Sequence, residues 1–270
     1  MSRTIVLVGC GNMGFAMLSG WLKAGMLKPA DVHVVEPNEN LRARAASLGV
    51  MAVADAADLT DGLTPALVMF AVKPQVMRDV VAQYTRYAGP DTTFLSIAAG
   101  TGVKVFAEIL GTDAAVVRCM PNTPAAIGKG MMVTFANGNV DARAMEWITS
   151  LLSASGKVAS IDDEALMDAV TAVSGSGPAY VFHFIECLTA AGEAAGLSPE
   201  TAKILAMQTV YGAASLAEAS TETPGRLREQ VTSPNGTTAA ALAVLMGDDR
   251  LKTLVADAVE AARKRSIELG

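Results

Sequence analysis

The first residues along the chain whose types and spacing carry chemistry are Gly9-Cys10-Gly11-Asn12-Met13-Gly14. They follow an apolar run, Ile5 to Val8, and open a helical pattern. In this arrangement Gly9 permits a tight turn, Gly11 lets a pyrophosphate approach the backbone, and Gly14 lets helix and strand pack closely. The helix start adds free N–H groups and the positive end of its dipole. Glu36 ends the second apolar run, at roughly the 20-residue distance where an acid receives the hydroxyls of an adenosine ribose. The pattern predicts a dinucleotide site built from Gly9, Gly11, Asn12, Met13, Gly14, Glu36 and Asn38. A carboxylate there repels a 2′-phosphate and favours NADH, yet Arg42 and Arg44 follow closely, and either one facing the ribose would accept NADPH. The two arginines read equally well as a solvated helix face, so the choice between NADH and NADPH stays open.

Three more segments fall where β-rich runs end, the place at which parallel sheets bind ligands. They contribute Val72, Lys73 and Pro74, then Ala98 and Gly100, then Pro121 to the expected cofactor contacts. Lys73 reads equally well as a solvated loop lysine. Further on, Ser174-Gly175-Ser176-Gly177-Pro178 opens a long apolar stretch. Its small residues suit close approach to a nicotinamide, with Ser174 as the candidate, or equally close packing against another helix. Ser233-Pro234-Asn235-Gly236-Thr237-Thr238 is a turn that feeds a helix. The three cysteines, Cys10, Cys119 and Cys187, are far apart and show neither metal-ligand nor disulfide spacing, so no metal is expected.

Elements that would position these residues alternate in the first part of the chain. Strands are predicted at Thr4–Val8, Val32–Val35, Leu67–Val72, Thr93–Ala98 and Ala115–Cys119, with helices at Met13–Ala24, Glu39–Leu48, Gln75–Tyr84 and Val103–Leu110 between them. Two more strands, Met131–Phe135 and Val158–Ile161, flank a helix at Ala142–Ser153 and extend the sheet. From Glu164 onward the pattern is helical, broken at Gly196, Thr223–Pro224, Ser233–Gly236 and Gly247–Asp248. The fold class is therefore α/β, a Rossmann-type doubly wound parallel sheet over residues 1–163 followed by an all-helical domain over 164–270.

Bulk composition narrows the function classes. The chain has 270 residues, 51% hydrophobic and 18% charged, and its mean hydropathy is +0.35. Much of the excess is alanine on helical segments, which points to close helix packing and buried subunit interfaces. The oiliest stretch, Val170 to Ala195, is cut by Ser174 to Pro178 and carries Glu186, so no membrane span is expected. Net charge −6 argues against nucleic acid as a partner. The first apolar run leads straight into glycines, which does not read as a secretory leader, and the cysteine pattern suits a reducing cytoplasm.

Several segments in order resemble pyrroline-5-carboxylate reductases: Gly9–Gly14, Ala71–Pro74, Ser96–Gly100, Arg118–Ala125, Ser174–Tyr180 and Ser233–Thr238. The resemblance covers almost the whole chain. It implies NAD(P)H-dependent reduction of 1-pyrroline-5-carboxylate to proline, the last step of proline biosynthesis, with hydride delivered to the ring imine carbon. It also implies a helical domain that forms dimers, in many members assembled into decamers. Carried over onto this chain, Ser233, Gly236, Thr237 and Thr238 hold the substrate carboxylate and ring, and the Thr238 hydroxyl faces the ring nitrogen as the catalytic candidate. Two positions depart from the family pattern. Asn235-Gly236 stands where Gly-Gly is usual, and Asn tolerates the left-handed backbone. Glu36 stands where many members carry Ser, Asn or Arg.

The residues also bear on the bond reduced. A ketone needs a proton donor beside its carbonyl, commonly His or Lys. The chain has two histidines, His33 in a strand and His183 in a helix, and no lysine in Ser174–Tyr180. An imine can arrive protonated, so positioning can do most of the work. A hydroxyacid dehydrogenase and a dinucleotide-sensing regulator are the competing readings.

Overall fold

A computed structural model describes residues 3–269 of the chain. Eight strands form one sheet: β1 (Ile5–Val8), β2 (Val32–Val35), β3 (Met51–Val53), β4 (Leu67–Phe70), β5 (Thr93–Ser96), β6 (Ala115–Met120), β7 (Gly130–Ala136) and β8 (Gly156–Ser160). Their order is β3-β2-β1-β4-β5-β6-β7-β8. All neighbours are parallel except β6 and β7, which pair antiparallel. The order reverses direction between β1 and β4, the point at which such sheets open a crevice beyond the strand ends.

Helices α1 (Asn12–Lys23), α2 (Glu39–Ala46), α3 (Met77–Ala82), α4 (Val103–Leu110), α5 (Ala142–Ser153) and α6 (Met167–Val170) belong with the sheet. The strands read as continuous apolar runs because both faces are covered. Alternate residues then separate into two cores. Ile5, Leu7, Leu67 and Met69 pack with Trp21 of α1 and Leu151 of α5. Val6, Val8, Val68 and Phe70 pack with Val81 of α3 and Phe106 of α4 on the other face.

The described residues form two compact units, 3–176 with 262–269, and 177–261. The expected boundary at 163/164 follows the end of the strand pattern. Residues 164–176 nevertheless pack with the sheet, through α6 and a π-helical turn at Thr171–Gly175.

The second unit contains α7 (Gly177–Ala194), α8 (Pro199–Ala219), α9 (Pro224–Gln230), α10 (Thr237–Met246) and the first part of α11 (Arg250–Leu269). Each expected break is present. Gly196 at φ +99° ends the α7 segment, and Leu197 N–H donates to the Gly192 carbonyl at 3.1 Å. Among its described residues only Ala202 and Ala206 are buried, while Phe182, Phe184, Ile204, Tyr211, Leu254 and others stand exposed. This unit has two paired helices and almost no core of its own. Such an apolar surface calls for association.

Candidate active site

At the end of β1 the chain turns at Gly9, whose φ is +85° and whose N–H donates to the Val35 carbonyl at 2.8 Å. A Cβ here would lie 2.8 Å from the Ala71 carbonyl oxygen. One at Gly14 would lie 2.5 Å from the Gly9 carbonyl oxygen. Both glycines are therefore required by the protein itself. Gly11 differs, since a Cβ there meets nothing within 4 Å. Its bareness leaves room for a ligand at the start of α1, where Asn12 is exposed and Met13 half-buried. The loop thus fits a dinucleotide pyrophosphate.

Glu36 is buried at the end of β2. Its Oε2 accepts from Cys10 N–H at 2.7 Å and its Oε1 from Asn38 N–H at 2.9 Å. Asn38 uses its own side-chain oxygen to cap α2, accepting from Leu41 N–H at 3.1 Å. Arg44 donates to the carbonyls of Cys10 at 2.9 Å and Gly11 at 3.1 Å, and its guanidinium lies 4.1 Å from the centre of the Phe15 ring. Burial pushes the Cys10 thiol up to about 11, an effect that Arg44 opposes and Glu36 reinforces.

The loops after the next strands lie in the same unit. Val72 and Pro74 are half-buried and Lys73 is exposed, ahead of a 3-10 turn at Pro74–Val76. After β5, Ala98 N–H donates to Ser96 Oγ at 3.2 Å, and Gly100 takes φ +72°. Pro121 is buried after β6. A cavity of about 300 Å³ is lined by Pro74, Gln75, Ala99, Gly100, Thr171 and Ser176, together with Arg265 and Ser266 near the end of α11.

Three ties that hold these loops were not foreseen. Asn122 Nδ2 donates to the Ser174 carbonyl at 3.2 Å while its Oδ1 accepts from Met131 N–H at 2.8 Å. Ser174 is thereby fixed to the end of β6. Glu164 Oε1 accepts from Val103 N–H at 2.8 Å and from Arg118 Nη1 at 2.7 Å, bracing the loop before α4. Ser266 Oγ donates to Asp168 Oδ1 at 2.6 Å, holding the end of α11 on the sheet unit. Asn122 lay inside a quoted motif, but nothing local marked the other two.

In the second unit Asn235 takes φ +59°, the left-handed conformation anticipated for it. Gly236 begins α10, and a Cβ there would lie 2.7 Å from Ser233 Oγ. Ser233 and Thr237 are exposed, and Thr238 is half-buried in the first turn. Asn38, Asp141, Ser198 and Thr223 cap α2, α5, α8 and α9 with side-chain oxygens. Helices α1 and α10 start on glycine with no such cap. Helix α4 also lacks its own cap, but Glu164 serves it. The free donors of α1 and α10 suit anionic groups.

Among the described residues no three His, Cys, Asp or Glu side chains group to hold a metal ion. No helix among them is long and apolar enough to cross a membrane.

Comparison with known proteins decides the family. A pyrroline-5-carboxylate reductase of Pseudomonas aeruginosa is 41% identical over 98% of this chain and 96% of its own. The chain belongs to the pyrroline-5-carboxylate reductase family. The model for pyrroline-5-carboxylate reductase dimerisation matches residues 164–269, and that for NADP oxidoreductase, coenzyme F420-dependent, matches residues 4–100. A solved pyrroline-5-carboxylate reductase from Coxiella burnetii superposes with TM-score 0.94 at 32% identity, covering 100% of this chain and 99% of that one. The Plasmodium falciparum pyrroline carboxylate reductase, solved with NADP bound, gives 0.84 at 29% identity over 99% and 98%. The dimerisation model falls on the segment whose helices leave their apolar side chains exposed, and this family member self-associates.

Proposed function

We propose that this chain reduces 1-pyrroline-5-carboxylate to L-proline with NAD(P)H. Family membership over nearly the full length of both chains carries the reading. The bare Gly11 at an uncapped helix start supports a dinucleotide on the sheet unit. In this reading residues 1–163 form the nucleotide domain and 164–270 the substrate and dimerisation domain.

When bound, the reduced nicotinamide supplies the hydride, and the iminium carbon of the ring receives it. Gly9, Gly11, Asn12, Met13 and Gly14 would hold the pyrophosphate, and Glu36 and Asn38 would receive the ribose. Val72, Lys73, Pro74, Ala98, Gly100, Pro121 and Ser174 would border the rest of the cofactor. The Thr237 and Thr238 N–H groups at the α10 start and the Ser233 hydroxyl hold the substrate carboxylate, and Gly236 keeps that hydroxyl in place by lacking a side chain. Thr238 orients the ring nitrogen through its hydroxyl and needs no strong acidity, because the iminium already carries its proton. The helical unit forms dimers, built further into decamers. The net charge of −6 gives no footing for nucleic acid, and the reducing cytoplasm is the compartment that suits Cys10, Cys119 and Cys187 as free thiols.

Initial rates of NADH and NADPH oxidation with 1-pyrroline-5-carboxylate test the proposal, and turnover with at least one is expected. Cofactor binding without turnover would overturn it. Losing one hydrogen bond to a charged group, about 1.5–3 kcal/mol, lowers kcat of Thr238→Ala roughly ten- to hundredfold. Cofactor affinity should fall only modestly in that variant.

A further inference from the structure

The ribose corner of the nucleotide site is built so that one of the two nicotinamide dinucleotides fits it better. Glu36 is 6% exposed, and each of its oxygens receives a backbone N–H, one from the glycine loop at Cys10 and one from Asn38. Swinging this carboxylate away would strand both donors. Each carboxylate oxygen keeps a further lone pair, so it can accept a ribose hydroxyl while still holding the loop. A 2′-phosphate has little proton to offer and sets negative charge against negative charge at short range.

The arginines beside this corner are already bonded to backbone carbonyls. Arg42 Nη1 donates to the carbonyls of Glu36 at 3.0 Å and Pro37 at 2.9 Å. Arg44 is held under the loop by the Cys10 and Gly11 carbonyls and by the Phe15 ring, and its Nε is shut off from solvent. Turning Arg44 to a phosphate means giving up contacts that shape the glycine loop, and turning the Nη1 of Arg42 away means giving up the carbonyls of the turn after β2.

We infer that this chain selects NADH over NADPH, with Glu36 as the specificity-determining residue and Arg42 and Arg44 as braces of the loop rather than phosphate ligands. The inference rests on the dinucleotide reading proposed above. Calorimetric titration of the purified full-length protein with NADH and with NADPH, without substrate, tests it. NADH should bind at least about tenfold more tightly in the wild type. In Glu36→Ser the ratio should fall to within about threefold or invert, and Arg42→Ala should leave the ratio of NADH to NADPH affinity unchanged. Equal or tighter binding of NADPH to the wild type, or selective loss of NADPH binding in Arg42→Ala, would overturn the inference and leave the reductase reading standing. Binding of neither dinucleotide would overturn both. Because serine gives up one brace of the loop, Glu36→Gln serves as a second variant, with an oxygen retained for one backbone donor and the charge removed. It should narrow the ratio in a protein of unchanged circular dichroism, and an unchanged ratio would also refute the inference.

Discussion

Removal of Glu164 tests whether the loop after β5 is braced from a distance. Its Oε1 is the shared acceptor for Arg118 Nη1 at 2.7 Å and for the Val103 N–H at the start of α4. The Arg118 side chain is 9% exposed and that of Glu164 27%. Truncating one partner of a fully buried pair costs about 3–5 kcal/mol. Water reaching the Glu164 side brings this down to roughly 2 kcal/mol, and the lost helix cap adds about 1 kcal/mol. Glu164→Ala should therefore lose about 3 kcal/mol, a fall in Tm of roughly 6–12 °C for a unit of this size. Glu164→Gln keeps an acceptor oxygen and should lose about 1 kcal/mol. Differential scanning calorimetry at one fixed protein concentration is the assay, because self-association makes Tm concentration-dependent. A double-mutant cycle with Arg118→Met should return a coupling of about 1.5 kcal/mol or more. Additive losses, or a Glu164→Ala Tm within about 2 °C of wild type, would refute the brace.

The glycine loop gives a contrast between two substitutions. Gly14→Ala forces a Cβ to within 2.5 Å of the Gly9 carbonyl oxygen and should cost about 1–3 kcal/mol, read as a lowered Tm. Gly11→Ala meets no protein atom, so its Tm should hold while dinucleotide binding by calorimetry falls. Buried thiols should be silent. With Cys10 pushed up to about 11 and Cys119 up to about 12 by burial, native protein at pH 8 should give at most one thiol, Cys187, to a disulfide reagent, against three in denaturant. A raised folded-state value means the proton is held more tightly in the native state. That stabilisation is complete below 9.0, the ordinary thiol value, and lost as pH rises towards 11, so alkaline unfolding should begin above pH 9. Phe182→Asp and Leu254→Glu, at 59% and 67% exposure, should shift sedimentation towards monomers if these side chains meet a second copy.

Legibility followed range. Gly9 and Gly14 were marked by their spacing because the positive φ of Gly9 and the close approach of Gly14 to the Gly9 carbonyl arise within one strand-turn-helix unit, whereas the crowding of Gly9 by Ala71 comes from the end of β4. Asn235 in the turn before α10 was legible because its own side-chain chemistry sets tolerance of the left-handed region. Strand β3 was missed because its three residues are too few to show a period. The 3-10 turn at Pro74–Val76 was absorbed into a predicted helix that starts only at Met77.

From the sequence alone came the strand-helix alternation, the glycine cradle and the family-bearing segments, since backbone stereochemistry and side-chain periodicity act over a few residues and leave a local trace. The tertiary structure decided which distant groups meet. It alone turned β7 antiparallel to β6, joined Glu164 to Arg118, Asn122 to Ser174 and Ser266 to Asp168, and tied both oxygens of Glu36 to backbone donors. A carboxylate has the same composition whether it faces a ribose, a loop or solvent. Only the crossing of the chain at β1 and β2 sets what it touches, and with it the charge that a ligand meets.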